Sequence, residues 1–125
     1  MEFDVSQPIY KQIIDDFKKK MIRGELKYGD KILSQREYAG AATINPNTVQ
    51  RAYREMESMN LVETLRGQGT FVSISDAMLK EIKDEMAKHL LNLFITEMRS
   101  LSYSDEEMLK MLKEEMKEGK DSDRV

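Results

Sequence analysis

The chain of 125 residues contains no cysteine. Disulfides, thiolate metal sites and cysteine nucleophiles are thereby excluded. It contains a single histidine, His89, which leaves no credible Ser-His-Asp set and reads as an exposed helix residue. No metal and no cofactor are expected. No stretch reaches the ~18 consecutive apolar residues of a membrane span, and the opening residues lack the form of a signal peptide. A soluble, cytoplasmic protein is the expectation. Acidic pairs such as Glu106-Glu107 and Glu114-Glu115 stand among lysines, the pattern of a solvated helix surface, so an enzyme is not expected. Only two prolines occur, Pro8 and Pro46, and both stand where a helix would start.

What is present suffices for a core: 40% of residues are hydrophobic, with 34% charged. The net charge of −3 argues at first against a nucleic-acid partner. Its distribution is uneven, however. Residues 1–75 hold 11 Lys+Arg against 10 Asp+Glu, and residues 76–125 hold 9 against 13. The acidity lies in the second half, and any DNA affinity of the first must come from where its charges point.

Apolar residues at Ile9, Tyr10, Ile13, Ile14, Phe17, Met21 and Ile22 follow helical spacing after Pro8. Gly24 ends that helix, and Lys31–Leu33 has the length of a short strand. Ser34 and Glu37 have the spacing of a capping box, predicting a short helix that buries Tyr38, Ala39 and Ala42. Thr43-Ile44 makes a turn. Asn45 then caps a helix with Pro46 at its first position. Within it Val49, Ala52, Tyr53 and Met56 obey the i, i+3, i+4, i+7 rule. Leu61–Leu65 and Thr70–Ile74 read as paired strands around Arg66-Gly67-Gln68-Gly69. A helix-turn-helix followed by a hairpin is a winged helix. The predicted fold is α+β: a winged helix over residues 1–75, then a two-helix, all-α dimerisation region over 76–125.

On the helix from Pro46, Asn47, Gln50, Arg51 and Arg54 fall opposite the core positions at ~100° per residue. Asn and Gln can bond two atoms of adenine in the major groove, and Arg two atoms of guanine. Thr48 lies at the edge, suited to a phosphate. No acid occurs between Asn45 and Arg54. Arg36, in the first turn of the preceding helix, is placed to cross the phosphate backbone, and Arg66 stands at the hairpin tip. Gly67 and Gly69 are explained by turn geometry, not by a nucleotide fingerprint, because a strand follows them.

The runs Gly24–Glu37, Asn45-Pro-Asn-Thr-Val-Gln-Arg-Ala-Tyr53 and Gly67-Gln-Gly-Thr-Phe-Val72 resemble the GntR family of bacterial transcription regulators over residues 8–72. The short second half is similar to that of its YtrA subfamily, whose members are homodimeric repressors. The resemblance implicates Arg36, Asn45, Asn47, Thr48, Gln50, Arg51, Arg66, Gly67 and Gln68 in contacting a double-stranded DNA operator; Arg54 is added by the helical wheel. Many relatives have Arg at the positions of Pro46 and Gln50, so their base preference does not transfer.

After residue 75 only two amphipathic helices fit, too few to bury their own apolar faces. Leu79, Ile82, Met86, Leu90, Leu93, Phe94, Met98 and Leu101, then Met108, Leu109, Met111, Leu112 and Met116, recur at helical steps. A homodimer interface is the favoured use, with Leu79, Ile82, Met86, Leu90, Leu93, Phe94, Met98, Met108 and Leu112 as its residues. A pliable pocket for an apolar effector is the alternative use, since Met adapts to irregular surfaces. The expected function is an effector-controlled repressor on an inverted-repeat operator. The competing class is a winged-helix scaffold that binds proteins and not DNA.

Overall fold

The computed structural model describes the backbone of residues 3–123 and the side chains of residues 3–119. Its elements in chain order are α1 (Ile9–Ile22), β1 (Lys31–Ile32), α2 (Gln35–Ala42), α3 (Pro46–Ser58), β2 (Val62–Leu65), β3 (Gly69–Val72), α4 (Asp76–Ser100) and α5 (Asp105–Asp123). They form two compact units, the first ending at Lys83 and the second starting at Asp84.

In the first unit three helices pack with a small antiparallel sheet of order β1-β3-β2. Val62 pairs with Val72 and Leu65 with Gly69, which sets the wing, and Lys31 pairs with Phe71. The predicted core positions of α3, Val49, Ala52, Tyr53 and Met56, are all fully buried. They meet Ile13, Ile14, Phe17 and Met21 of α1. Ala39 is buried as expected, whereas Tyr38 and Ala42 are half-buried. The Tyr38 ring lies 5.5 Å from that of Phe17 and 6.1 Å from that of Tyr53.

Helix ends follow from local chemistry. Ser34 Oγ accepts from the Glu37 N–H at 3.1 Å, and Glu37 Oε1 accepts from the Ser34 N–H at 3.2 Å, a complete capping box. The Ser34 hydroxyl and then its backbone N–H hold the Glu37 carboxyl below the usual carboxylate range. This contribution is present above the unfolded pKa of Glu37 and lost as pH falls through the lowered folded value. Ser104 and Glu107 repeat the motif at α5, at 3.1 and 3.2 Å.

Strand boundaries depart from the sequence expectation at β3, which runs Gly69–Val72 and not Thr70–Ile74, and at two further ends. Leu61 belongs to the stop of α3: Asn60 is left-handed (φ 60°), and the Leu61 N–H reaches back to the Met56 carbonyl at 2.9 Å. Strand β1 ends at Ile32, and the Leu33 carbonyl accepts the Tyr53 hydroxyl at 2.6 Å.

Thr43, at the turn between α2 and α3, is also left-handed (φ 55°), a conformation that a Cβ penalises by roughly 1–2 kcal/mol. Thr43→Gly is expected to raise stability by about 0.5–1 kcal/mol once the extra freedom of unfolded glycine is subtracted. A lowered urea midpoint would contradict this.

Helix α4 contains no fully buried residue. Leu79 and Ile82 pack against the core of the first unit, which carries that unit past residue 75, eight positions beyond the boundary drawn from the sequence. In the second unit Met108 is buried. Leu91, Phe94, Ile95, Met108, Leu109 and Leu112 line an apolar depression of about 300 Å³, beside which Arg99 pairs with Asp105 at 3.2 Å. Met86, Met98 and Leu112 are half-buried. Leu90 (62% exposed), Leu93 (52%) and Leu101 (67%) face solvent. No helix is long and apolar enough to cross a membrane among the described residues.

Candidate DNA interface

The interface is built on the N-terminal half of α3. Asn45 caps this helix, its Oδ1 accepting from the Asn47 N–H at 2.8 Å. The Asn45 side-chain oxygen is thus committed to the helix, leaving its amide N–H groups for a partner. Pro46 occupies the first turn, where its missing N–H costs nothing.

A groove of about 460 Å³ opens between α2 and α3. Arg36 and Gln35 enter it from α2, and Asn47 and Gln50 from α3. Ala39, Gly40, Ile44 and Pro46, small or apolar, complete its lining. The polar side chains are a guanidinium and three amides, which combine donors and acceptors with no negative charge. That set suits phosphate oxygens and base edges together. Arg36, Asn47 and Gln50, which the sequence placed on two different helices, converge here.

Arg54 and Arg66 are exposed, and among the described residues neither they nor Arg36 forms a salt bridge, whereas Lys20, Arg23, Arg51 and Arg99 do. Thr48 is half-exposed at the edge of the helix face.

Arg51 is held apart from the groove. Its guanidinium lies 3.8 Å from the centroid of the Tyr10 ring, and Nη2 donates to the Tyr10 hydroxyl at 3.2 Å. Nε stands 3.6 Å from Glu55. A stacked guanidinium at an exposed site gains about 0.5–1 kcal/mol. Tyr10 is 41 residues away in sequence, and no local pattern announces the pair.

The wing tip is the loop Arg66-Gly67-Gln68. Gly67 has φ 77°, and the Gln68 N–H closes the turn onto the Leu65 carbonyl at 2.9 Å. Gly67 at the third turn position is the type II pattern that excludes ordinary side chains. At Gly69 (φ 126°) an added Cβ would lie 2.6 Å from Lys31 Cε. Lys31 therefore lies across the base of the wing, a further cation that sequence reasoning did not single out. Only the pairing of β1 with β3 puts it there.

Among the described residues no group of three or more His, Cys, Asp or Glu could hold a metal ion.

Residues 9–72 match the sequence profile of the bacterial regulatory proteins of the gntR family. The chain is 44% identical over 112 residues to the uncharacterized HTH-type transcriptional regulator YhcF of Bacillus subtilis, covering 90% of this chain and 93% of that one. It is 39% identical over 122 residues to the HTH-type transcriptional repressor YtrA of the same organism, covering 94% of each. Among solved structures, a GntR family transcriptional regulator from Listeria monocytogenes superposes with a TM-score of 0.81 at 37% identity, covering 90% of this chain and 98% of that one.

Proposed function

Because the chain belongs to the gntR family of bacterial regulatory proteins, and so is a DNA-binding transcriptional regulator, we propose that it is a homodimeric repressor of an inverted-repeat operator, released by an effector. The observation that carries the DNA contact is the convergence of Arg36, Asn47 and Gln50 on one acid-free groove at the start of α3. In this reading α3 enters the major groove, where Asn47 and Gln50 meet base edges and Arg36 a flanking phosphate. Arg54 faces the same groove, and Arg66, Gly67 and Gln68 reach the neighbouring backbone from the wing.

A dimer is supported by the second unit. Leu90, Leu93, Leu101 and Met116 (65% exposed) present apolar surface to solvent, which a second copy would cover. Two recognition helices would then meet half-sites roughly 34 Å apart, one turn of DNA. Repression is the role named for the relative YtrA. Release requires an effector that binds better to a dimer geometry unfit for the operator. The protein would act in the cytoplasm, where the chromosome is.

The test is selection of duplexes from a random pool by the full chain, which is expected to enrich an inverted repeat. Enrichment of a single half-site, or of nothing, would refute the operator reading. On the enriched duplex Gln50→Ala is expected to relax discrimination at one base pair by ~1–3 kcal/mol. Arg36→Ala is expected to weaken binding to all sequences and to reduce the salt slope by about 0.9 per subunit bound. An unchanged slope would remove Arg36 from the phosphate contacts.

A further inference from the structure

Tyr10 stands at the second position of α1, half-buried, and packs against the core of the first unit. Its ring is therefore a platform fixed to the fold. The Arg51 guanidinium lies over that ring and donates to its hydroxyl, with Glu55 beside Nε. The Arg51 side chain is nonetheless 60% exposed, which leaves N–H groups of the fork open to a partner.

A guanidinium that reads guanine lies in the plane of the base and reaches to the floor of the major groove. Arg51 instead lies over the ring of a tyrosine of α1 and is bonded to its hydroxyl, outside the lining of the groove that Asn47 and Gln50 share. From there its fork suits a phosphate, which accepts planar, bidentate hydrogen bonds without demanding base coplanarity. A side chain already ordered by stacking also loses little rotamer freedom when the phosphate arrives.

We propose that Tyr10 is a positioning residue that holds Arg51 as a clamp on the DNA backbone, leaving base reading on α3 to Asn47 and Gln50. The proposal rests on the DNA-binding reading above and adds a role for α1, an element outside the helix-turn-helix and the wing.

Two probes test it: the duplex most enriched by the wild-type chain, and a scrambled duplex of equal length, each titrated over a range of salt. Arg51→Ala is expected to weaken both by the same factor, roughly three- to tenfold, and to lower the salt slope by about 0.9 per bound subunit. Tyr10→Leu is expected to reproduce part of that loss in the wild-type background and none of it in the Arg51→Ala background. Tyr10→Phe keeps the ring and should fall between wild type and Tyr10→Leu.

A loss confined to the enriched duplex would make Arg51 a base reader and overturn the proposal. So would a Tyr10→Leu loss of equal size with and without Arg51, because the ring would then act through the fold. Should Tyr10→Leu melt early, Arg51→Lys decides, since lysine keeps the charge but cannot lie flat on the ring. Equal weakening on both duplexes with the slope retained supports the positioning; undiminished affinity overturns it. If the wild-type chain enriches no duplex, the DNA-binding reading itself fails, an outcome distinct from all of these.

Discussion

Tyr53→Ala is expected to lower folding stability by about 3–5 kcal/mol, the range for deleting a large aromatic side chain from a packed core. Tyr53 is fully buried. Its ring meets Phe17 edge-on at 5.9 Å and Tyr38 at 6.1 Å, which ties α3 to α1 and α2. Its hydroxyl donates to the Leu33 carbonyl at 2.6 Å and so ties α3 to the end of β1. The whole stability of a domain is about 5–15 kcal/mol, so this one change should consume a large share of it. DNA binding should fall with it, because the helix that presents Asn47 and Gln50 is seated on this ring. Urea unfolding checks the prediction, and a loss under about 1 kcal/mol would contradict it.

Tyr53→Phe separates the hydroxyl from the ring. It should cost about 1–2 kcal/mol, since the Leu33 carbonyl loses its donor. A second signature accompanies it. Burial, then the neighbouring Tyr38 and Glu37, push the Tyr53 phenol well above its ordinary value of 10.0. The folded protein therefore keeps a proton that the unfolded chain releases near pH 10, so stability falls as pH rises through that range. Tyr53→Phe should flatten that alkaline decline, leaving the smaller part due to Tyr38, whose phenol is also raised by burial.

The other large effect is expected from ending the chain at Lys83. Residues up to that point form a compact unit with its own core, closed by Leu79 and Ile82. The shortened chain should still unfold cooperatively. Without the second unit it should be a monomer and bind a single half-site. Linking two half-site contacts in one particle gains about 10²–10⁴ in apparent affinity, and a loss of that order is expected on an inverted repeat. Sedimentation and titration of the same sample give the two readouts. In the full chain, Leu90→Glu combined with Leu93→Glu should reproduce the loss, because both side chains are exposed and their replacement leaves the subunit's own packing intact. A dimeric shortened chain, or a double variant that remains dimeric, would remove the second unit from the interface.

Much of the candidate site could be read in advance because its signals are short-range. The Ser34–Glu37 capping box, the Asn45-Pro46 start and the Val49–Met56 spacing each depend on residues within about two turns. They determine where α2 and α3 begin and which face of α3 turns inward. The opposite face, with Asn47, Gln50, Arg51 and Arg54, follows by geometry. Gly67 likewise announced its turn. Departures occurred where one element borrows a group from another. Leu61 is the type of residue found in strands but serves as the stop of α3, and Leu33 lies just past the end of β1, where its carbonyl accepts a side chain from α3.

The amino-acid sequence by itself determined the order of elements, the inward stripe of α3 and the set of polar groups available to DNA, because helical periodicity and capping are properties of neighbouring residues. Only the tertiary structure decided how that set is divided. It gathers Arg36, Asn47 and Gln50 around one groove, lays Arg51 on Tyr10 and lays Lys31 across the wing. It also decided that Leu79 and Ile82 serve the first unit while Leu90 and Leu93 stay exposed. Arg36, Arg51 and Lys31 are alike basic and Leu79, Ile82, Leu90 and Leu93 alike apolar, all on regular elements, and nothing local distinguishes one use from another. What distinguishes them is which distant surface lies opposite, and that is set only once the chain has folded.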